Sequence, residues 1–208
     1  NYFFANILPF VWYLCTMKTL ILVATENEIL RENFSDCSIL IAGVGMVNTS
    51  IRLTKELSKN KYDLVINMGL AGSFLDSIQL EDVVEVVEDN FAEIGFEDNL
   101  DFRRFSAFDL KTNYVVNPKT KLKKVKAVTV NTVHGNDKSI SEILIRESPQ
   151  IESMEGAAVF KVCEEFNLDC VQIRAISNKV EIRNKDNWIF ESTIIKLNFE
   201  VEKFINSL

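Results

Sequence analysis

Hydrophobic positions in this chain gather in short runs separated by polar segments with helical spacing. Leu20–Ala24 is aliphatic throughout, the pattern of a strand covered on both faces. Ser38–Ala42, Leu64–Met68 and Val171–Ile176 predict further core strands, and Asp82–Val87 and Ala127–Thr132 predict strands with polar residues mixed in. Helical patterns lie between them. One is capped by Asn48-Thr49-Ser50 and runs to about Ser58; others cover Ser141–Arg146 and Glu155–Phe166. Glu26–Asn33 reads as a loop entering a short helix, and Ile189–Ile205 as a terminal amphipathic helix. Strands alternating with helices predict an α/β fold, its sheet covered on both faces. Two segments stand outside the alternation. Asp89–Lys111 is charged with scattered phenylalanines and predicts a flap or hairpin, and Lys119–Lys126 is basic and predicts a solvated loop.

Composition narrows the class. A chain of 208 residues suits one domain, and 47% apolar with 25% charged residues is the balance of a soluble globular protein. The net charge of −7 argues against a nucleic-acid-binding surface, while leaving room for a small ligand in a local pocket. Cys15, Cys37, Cys163 and Cys170 form no Cys-x-x-Cys pair, and His134 is the single histidine, so no metal site is expected. A reducing cytoplasm is the simplest compartment for such cysteines. Residues 1–16 are apolar and precede Met17, where a first strand begins almost at once. They lack a basic leader region and are short for a membrane span. The expectation is an extension outside the fold, with 17–208 forming the domain and no membrane partner.

Ligands on α/β sheets bind beyond the carboxyl ends of strands, so polar residues just past those ends are the first candidates. Glu26 and Glu28 follow the first strand; either could activate water, or simply decorate a helix start. Gly43-Val44-Gly45 and Gly69-Leu70-Ala71-Gly72 allow close backbone approach to a ligand, but a plain turn explains them equally well. Glu155 sits between Met154 and Gly156-Ala157-Ala158, and a carboxylate in apolar surroundings needs a partner or a task. Asn178 ends the Val171 strand, where an asparagine can serve a turn or a ligand. Arg183 can be read as surface charge, and His134 as a loop residue.

Five segments in order carry a resemblance: Ala24–Glu28, Val65–Gly72, Asp82-Val83-Val84, Met154–Ala157 and Arg174–Asn178. Together they resemble the nucleoside phosphorylase/nucleosidase superfamily, from Met17 to the end of the sequence. Within it, Thr129–Gly135, Glu152–Ala158 and Arg183–Trp188 look most like the futalosine hydrolase branch. The resemblance implies a three-layer α/β/α fold around a twisted mixed sheet, and a homo-oligomer. It implies hydrolysis of the N-glycosidic bond of futalosine to hypoxanthine and dehypoxanthine futalosine, with no cofactor. By motif, Glu28 matches the water-activating carboxylate, and Met154 with Glu155 the pair that holds the ribose. Asn178 matches the residue at purine N7. Ala71, Gly72 and Val133 match positions lining the nucleoside, and Arg183 is the candidate for the substrate's remote carboxylate. The phosphate loop of the phosphorylase branch has no counterpart near Glu28. An asparagine at 178, where methylthioadenosine nucleosidases carry an aspartate, favours a 6-oxopurine. Leu70 and Glu81 depart from the pattern, which has serine in some nucleosidases and glycine, respectively, at these places. A related nucleosidase or phosphorylase, and a purine-binding protein without turnover, are the other readings.

Overall fold

The computed structural model describes residues 17–99 and 101–208, so the expected extension 1–16 lies outside the described residues. In chain order the elements are β1 (Thr19–Val23), β2 (Ser38–Ile41), α1 (Met46–Leu57), β3 (Leu64–Ser73) and β4 (Val83–Phe91). They continue as β5 (Phe96–Asp98), β6 (Asp101–Arg103), β7 (Asn113–Val115), β8 (Lys123–Thr129) and α2 (Asp137–Glu147). The last are β9 (Ile151–Ser153), α3 (Gly156–Glu165), β10 (Cys170–Lys179) and α4 (Glu191–Ile205).

The main sheet is mixed, and part of it closes on itself. β10 runs parallel to β3 and antiparallel to β4; β4 and β9 both run parallel to β8; β9 returns antiparallel to β3. These five strands form a ring, with β1 and β2 continuing from β3 as a parallel wing. β3 is therefore forked. Its first residues, Leu64–Asn67, pair with β1, whereas Gly72 and Ser73 pair with β9. Between the two pairings β1 and β9 diverge, and a gap opens at the level of Leu70 and Ala71.

Apolar helix faces cover both sides of the sheet. Leu53 and Leu57 of α1 and Val159, Phe160 and Cys163 of α3 pack in one core with Leu20, Val65 and Val86. Leu197, Val201 and Phe204 of α4 pack on the opposite face with Ile21, Ile66 and Ile173. This is the three-layer α/β/α arrangement with a mixed sheet, as expected. No helix of the described residues is long and apolar enough to cross a membrane.

Several local expectations change. α1 starts at Met46, with Gly45 at φ 91° as its cap, so Asn48-Thr49-Ser50 lies inside the first turns. That φ suits glycine alone among common residues and lets the chain reverse directly from β2. Gly69–Ser73 continues β3 rather than closing it. Ala127–Thr132 ends as strand at Thr129. Lys119–Lys126 is not a solvated loop: Lys123–Lys126 belongs to β8, and Val125 is buried. The cause is Glu85, a buried carboxylate of β4. It accepts hydrogen bonds from the backbone N–H of Lys119 (2.6 Å) and Thr120 (2.9 Å), and Lys124 Nζ lies 2.9 Å away. The hairpin expected in Asp89–Lys111 is present as β5–β6, while Asp89–Phe91 belongs to β4. Glu81, where the resemblance expects a glycine, takes φ 67° and pairs with Lys196 at 2.8 Å.

Candidate active site

The fork in β3 is the floor of a cavity of about 200 Å³. Glu28, Ala71, Gly72, Val133, Met154, Glu155 and Asn178 all line it, and His134, Glu152 and Ser177 join them. Residues far apart in sequence meet there because the C-terminal ends of β1, β3, β9 and β10 converge on the gap. Arg183 is not among the lining residues. It is exposed, with its guanidinium 4.9 Å from the ring centre of Trp188, which does line the cavity.

Glu28 ends a 3-10 turn that leaves β1. Its Oε2 accepts from Thr25 N–H (2.7 Å) and Thr25 Oγ1 (3.1 Å), which fixes the carboxylate at the cavity wall. The turn itself is clamped by the buried Asn198 of α4. That amide donates to Glu28 O (3.0 Å) and accepts from Leu30 N–H (2.8 Å). Glu26 points elsewhere and pairs with Arg31 on the surface, the role of a plain surface charge.

Glu155 precedes α3 and is 6% exposed. Its Oε1 accepts from Gly45 N–H at 3.0 Å, and its Oε2 lies 3.9 Å from Arg174 Nη2. Burial pushes its pKa above the usual carboxylate range, with Arg174 opposing that shift and nearby Glu28 adding to it. Arg174, 2% exposed, thus sits at the centre of the charged end. A methyl group built on Gly69 would fall 2.3 Å from Arg174 Nη1 and 3.1 Å from Glu28 Oε1, so the bare glycine lets the two approach.

Behind Arg174 runs a buried polar line. Its Nε donates to Gln172 Oε1 (2.9 Å), and Gln172 Nε2 donates to Asp89 Oδ2 (2.9 Å). Thr129 Oγ1 donates to Asp89 at 3.0 Å and accepts from Ala157 N–H at 2.8 Å, tying the line to the start of α3. Asp89 is fully enclosed, and desolvation pushes it up to about 6, against the pull of Gln172, Thr129 and Arg174. Sequence reasoning gave Arg174 and Asp89 no role. A signal existed for the arginine: a cation in the middle of Val-Gln-Ile-Arg-Ala-Ile needs a buried partner.

The other end of the cavity depends on an irregularity. The β3–β10 register shifts between Ile176 and Asn178, which makes Ser177 a bulge residue. In a regular strand neighbouring side chains point to opposite faces; the bulge re-aims one, and both Ser177 and Asn178 line the cavity. Ser177 Oγ donates to Asn178 Oδ1 (2.9 Å), which orients the amide, and Asn178 Nδ2 donates to Lys179 O (2.9 Å).

A forked mixed sheet with a cavity at the converging strand ends, walled by three carboxylates and backed by a buried arginine, defines an α/β enzyme. The family model of the phosphorylase superfamily matches residues 27–204, and the chain belongs to that superfamily. Among curated proteins, the 5'-methylthioadenosine/S-adenosylhomocysteine nucleosidase of Shewanella sp. strain MR-7 is 29% identical over 180 residues, covering 79% of this chain and 75% of the relative. Among solved structures, an aspartate-to-asparagine mutant of the Helicobacter pylori methylthioadenosine nucleosidase, with 5'-methylthioadenosine in its active site, superposes with a TM-score of 0.82. It has 14% identity, covering 92% of this chain and 99% of that one. The futalosine hydrolase of Helicobacter pylori strain 26695 superposes with a TM-score of 0.76 at 15% identity, covering 93% and 99%. At such identities the structural likeness bears on the fold.

Proposed function

We propose that this protein is a nucleosidase that hydrolyses the N-glycosidic bond of futalosine, releasing hypoxanthine without phosphate, metal or other cofactor. The observation that carries the reading is one cavity with Glu28 and Glu155 around Arg174 at one end and Asn178 at the other. Glu28 takes a proton from water as the water oxygen bonds to the anomeric carbon. Glu155 accepts hydrogen bonds from ribose hydroxyls and stabilises positive charge developing on the sugar. Arg174 opposes the upward shift that burial and Glu28 impose on Glu155. Two carboxylates here repel phosphate, which favours water as the nucleophile. Met154 packs under the ribose, and Ala71, Gly72 and Val133 line the nucleoside.

Asn178 points to the base. Its amide can hydrogen-bond a 6-oxopurine, which carries its own departing charge better than adenine does. The cavity, about 200 Å³, is smaller than the roughly 300–1,000 Å³ of drug-sized sites. It suits a base and sugar, with a bulky 5' substituent passing out beside Trp188 and Phe190. Arg183 beside Trp188 is the candidate for a carboxylate on that substituent. Val44, Val47 and Ile51 form an exposed apolar strip beside the mouth, fit for burial against a second copy of the chain. The thiols of Cys37, Cys163 and Cys170, unpaired among the described residues, fit a reducing cytoplasm.

The second reading is a methylthioadenosine/S-adenosylhomocysteine nucleosidase, favoured by the name of the Shewanella relative. Chromatography of bases released from futalosine, inosine and methylthioadenosine, each with and without phosphate, separates the two. Phosphate-independent hypoxanthine release from futalosine is the expected result. Adenine release from methylthioadenosine alone would establish the second reading, and no release from any substrate would overturn both.

A further inference from the structure

We propose that His134, held by Glu152, is the proton donor to the leaving purine base, a task that Asn178 cannot perform. The inference rests on the nucleosidase reading above and adds a catalytic residue to it. Glu152 lies in β9, 3% exposed, opposite Gly72 of β3. A carboxylate so buried requires partners, and His134 supplies two. Its backbone N–H donates to Glu152 Oε1 at 3.0 Å, and its ring Nδ1 lies 2.6 Å from Glu152 Oε2. Main chain and ring are thus pinned by one carboxylate, which sets the ring's orientation before any ligand arrives. The other nitrogen, Nε2, has no hydrogen-bond partner among the described residues, and His134 lines the cavity.

This pair stands at the base end. A methyl group built on Gly72 would fall 3.0 Å from Asn178 Nδ2 and 3.6 Å from Glu152 Cγ, so the amide and the carboxylate flank one small gap. An amide holds no transferable proton. Glu28 and Glu155 belong to the water and the sugar, and Glu152 is occupied by His134. His134 is therefore the group at this end suited to deliver a proton. With both ring nitrogens protonated, Nδ1–H stays on Glu152 and Nε2–H faces the base. As the bond between the anomeric carbon and N9 breaks, its electron pair passes to the base. The base takes the proton from Nε2, and the water oxygen bonds to the anomeric carbon while Glu28 receives the water's proton. Exchange with solvent then returns a proton to His134 and removes one from Glu28.

The test uses His134→Gln, because a glutamine amide can still donate to Glu152 but cannot transfer a proton. Futalosine and its N7-methylated form are compared, since the methylated base is already cationic and leaves without a proton. The expected result is a fall of about 10²-fold or more in kcat for futalosine, with KM and Tm near wild type and the methylated substrate cleaved within a few-fold of wild type. Equal losses on both substrates would reduce His134 to a structural partner of Glu152 and overturn the proposal, as would an unchanged kcat on futalosine. If the wild type does not cleave the methylated form, the futalosine arm decides alone. A kcat loss at constant KM and Tm supports the proposal, and a loss that tracks a lowered Tm overturns it. Wild-type enzyme inert on futalosine and the other nucleosides would instead defeat the nucleosidase reading itself.

Discussion

The two ends of the cavity are built by opposite means. At the charged end, Glu28 and Glu155 flank Arg174 from a 3-10 turn and a helix start, and a buried line back to Asp89 supports the arginine. At the base end, Ser177 and Asn178 share one face only because β10 bulges, and Glu152 is present only because a three-residue strand closes the ring. Charge sets what the first end can do; backbone irregularity sets what the second can recognise. Substitutions at the first end should therefore abolish turnover, whereas at the second those at Asn178 should redirect it and those at the proposed donor His134 should slow it.

The strongest challenge to that contrast is Glu28→Gln. Losing the general base should lower kcat by roughly 10²–10⁴-fold, measured as hypoxanthine release, with Tm little changed. Near-full kcat would remove Glu28 from the mechanism. Next comes Arg174→Met, which strands Glu155 in a buried site. Breaking a buried pair typically destabilises by ~3–5 kcal/mol. The contact here is long, at 3.9 Å, so the low end of that range is expected in urea unfolding, together with loss of activity. A variant of unaltered stability would show that Arg174 does not offset the buried carboxylates.

Asn178→Asp probes the other end. It should shift preference from hypoxanthine to adenine nucleosides by about tenfold or more, an amount that needs only ~1.4 kcal/mol of differential stabilisation, while leaving the fold intact. Unchanged preference in a competition assay would take specificity away from the bulge. A last effect is on pH. Asp89 titrates near 6 in the folded protein against 3.8 when unperturbed, so between those values the folded state holds a proton that the unfolded state has released. Stability from this group is present at the acid side of that window and falls as pH rises through it. Relative to Asp89→Asn, the wild type should lose Tm progressively from about pH 4 to pH 6. A constant Tm difference across that range would contradict the buried line. Because burial also raises Glu155, the acid limb of kcat should lie above the range of an exposed carboxylate.

The same contrast governs what could be read from the sequence. Glu155 and the alternation of strands and helices are local signals, since a carboxylate before an apolar helix looks unusual by itself; Glu28 stood apart from Glu26 only through the resemblance. The three layers followed from that alternation. Asn178 was visible as a residue, but the bulge that turns it beside Ser177 was not, since it depends on register with β3. His134 looked like any loop histidine because its partner Glu152 stands 18 residues away on a strand too short to carry a pattern. Lys119–Lys126 misled for a similar reason, as the buried Glu85 that gathers it lies 34 residues earlier.

The ring of strands also dictates when the site can exist. β10 is the last strand to leave the ribosome, yet it pairs on both sides with β3 and β4, partners made about a hundred residues before it. Pairings so distant in sequence are slow to form and leave earlier strands waiting with open edges. Arg174 and Asn178 arrive on that same strand. The nascent chain therefore carries Glu28 long before it has a complete cavity, and the period between the emergence of β4 and that of β10 is the interval in which the sheet is most exposed to misfolding and chaperone capture.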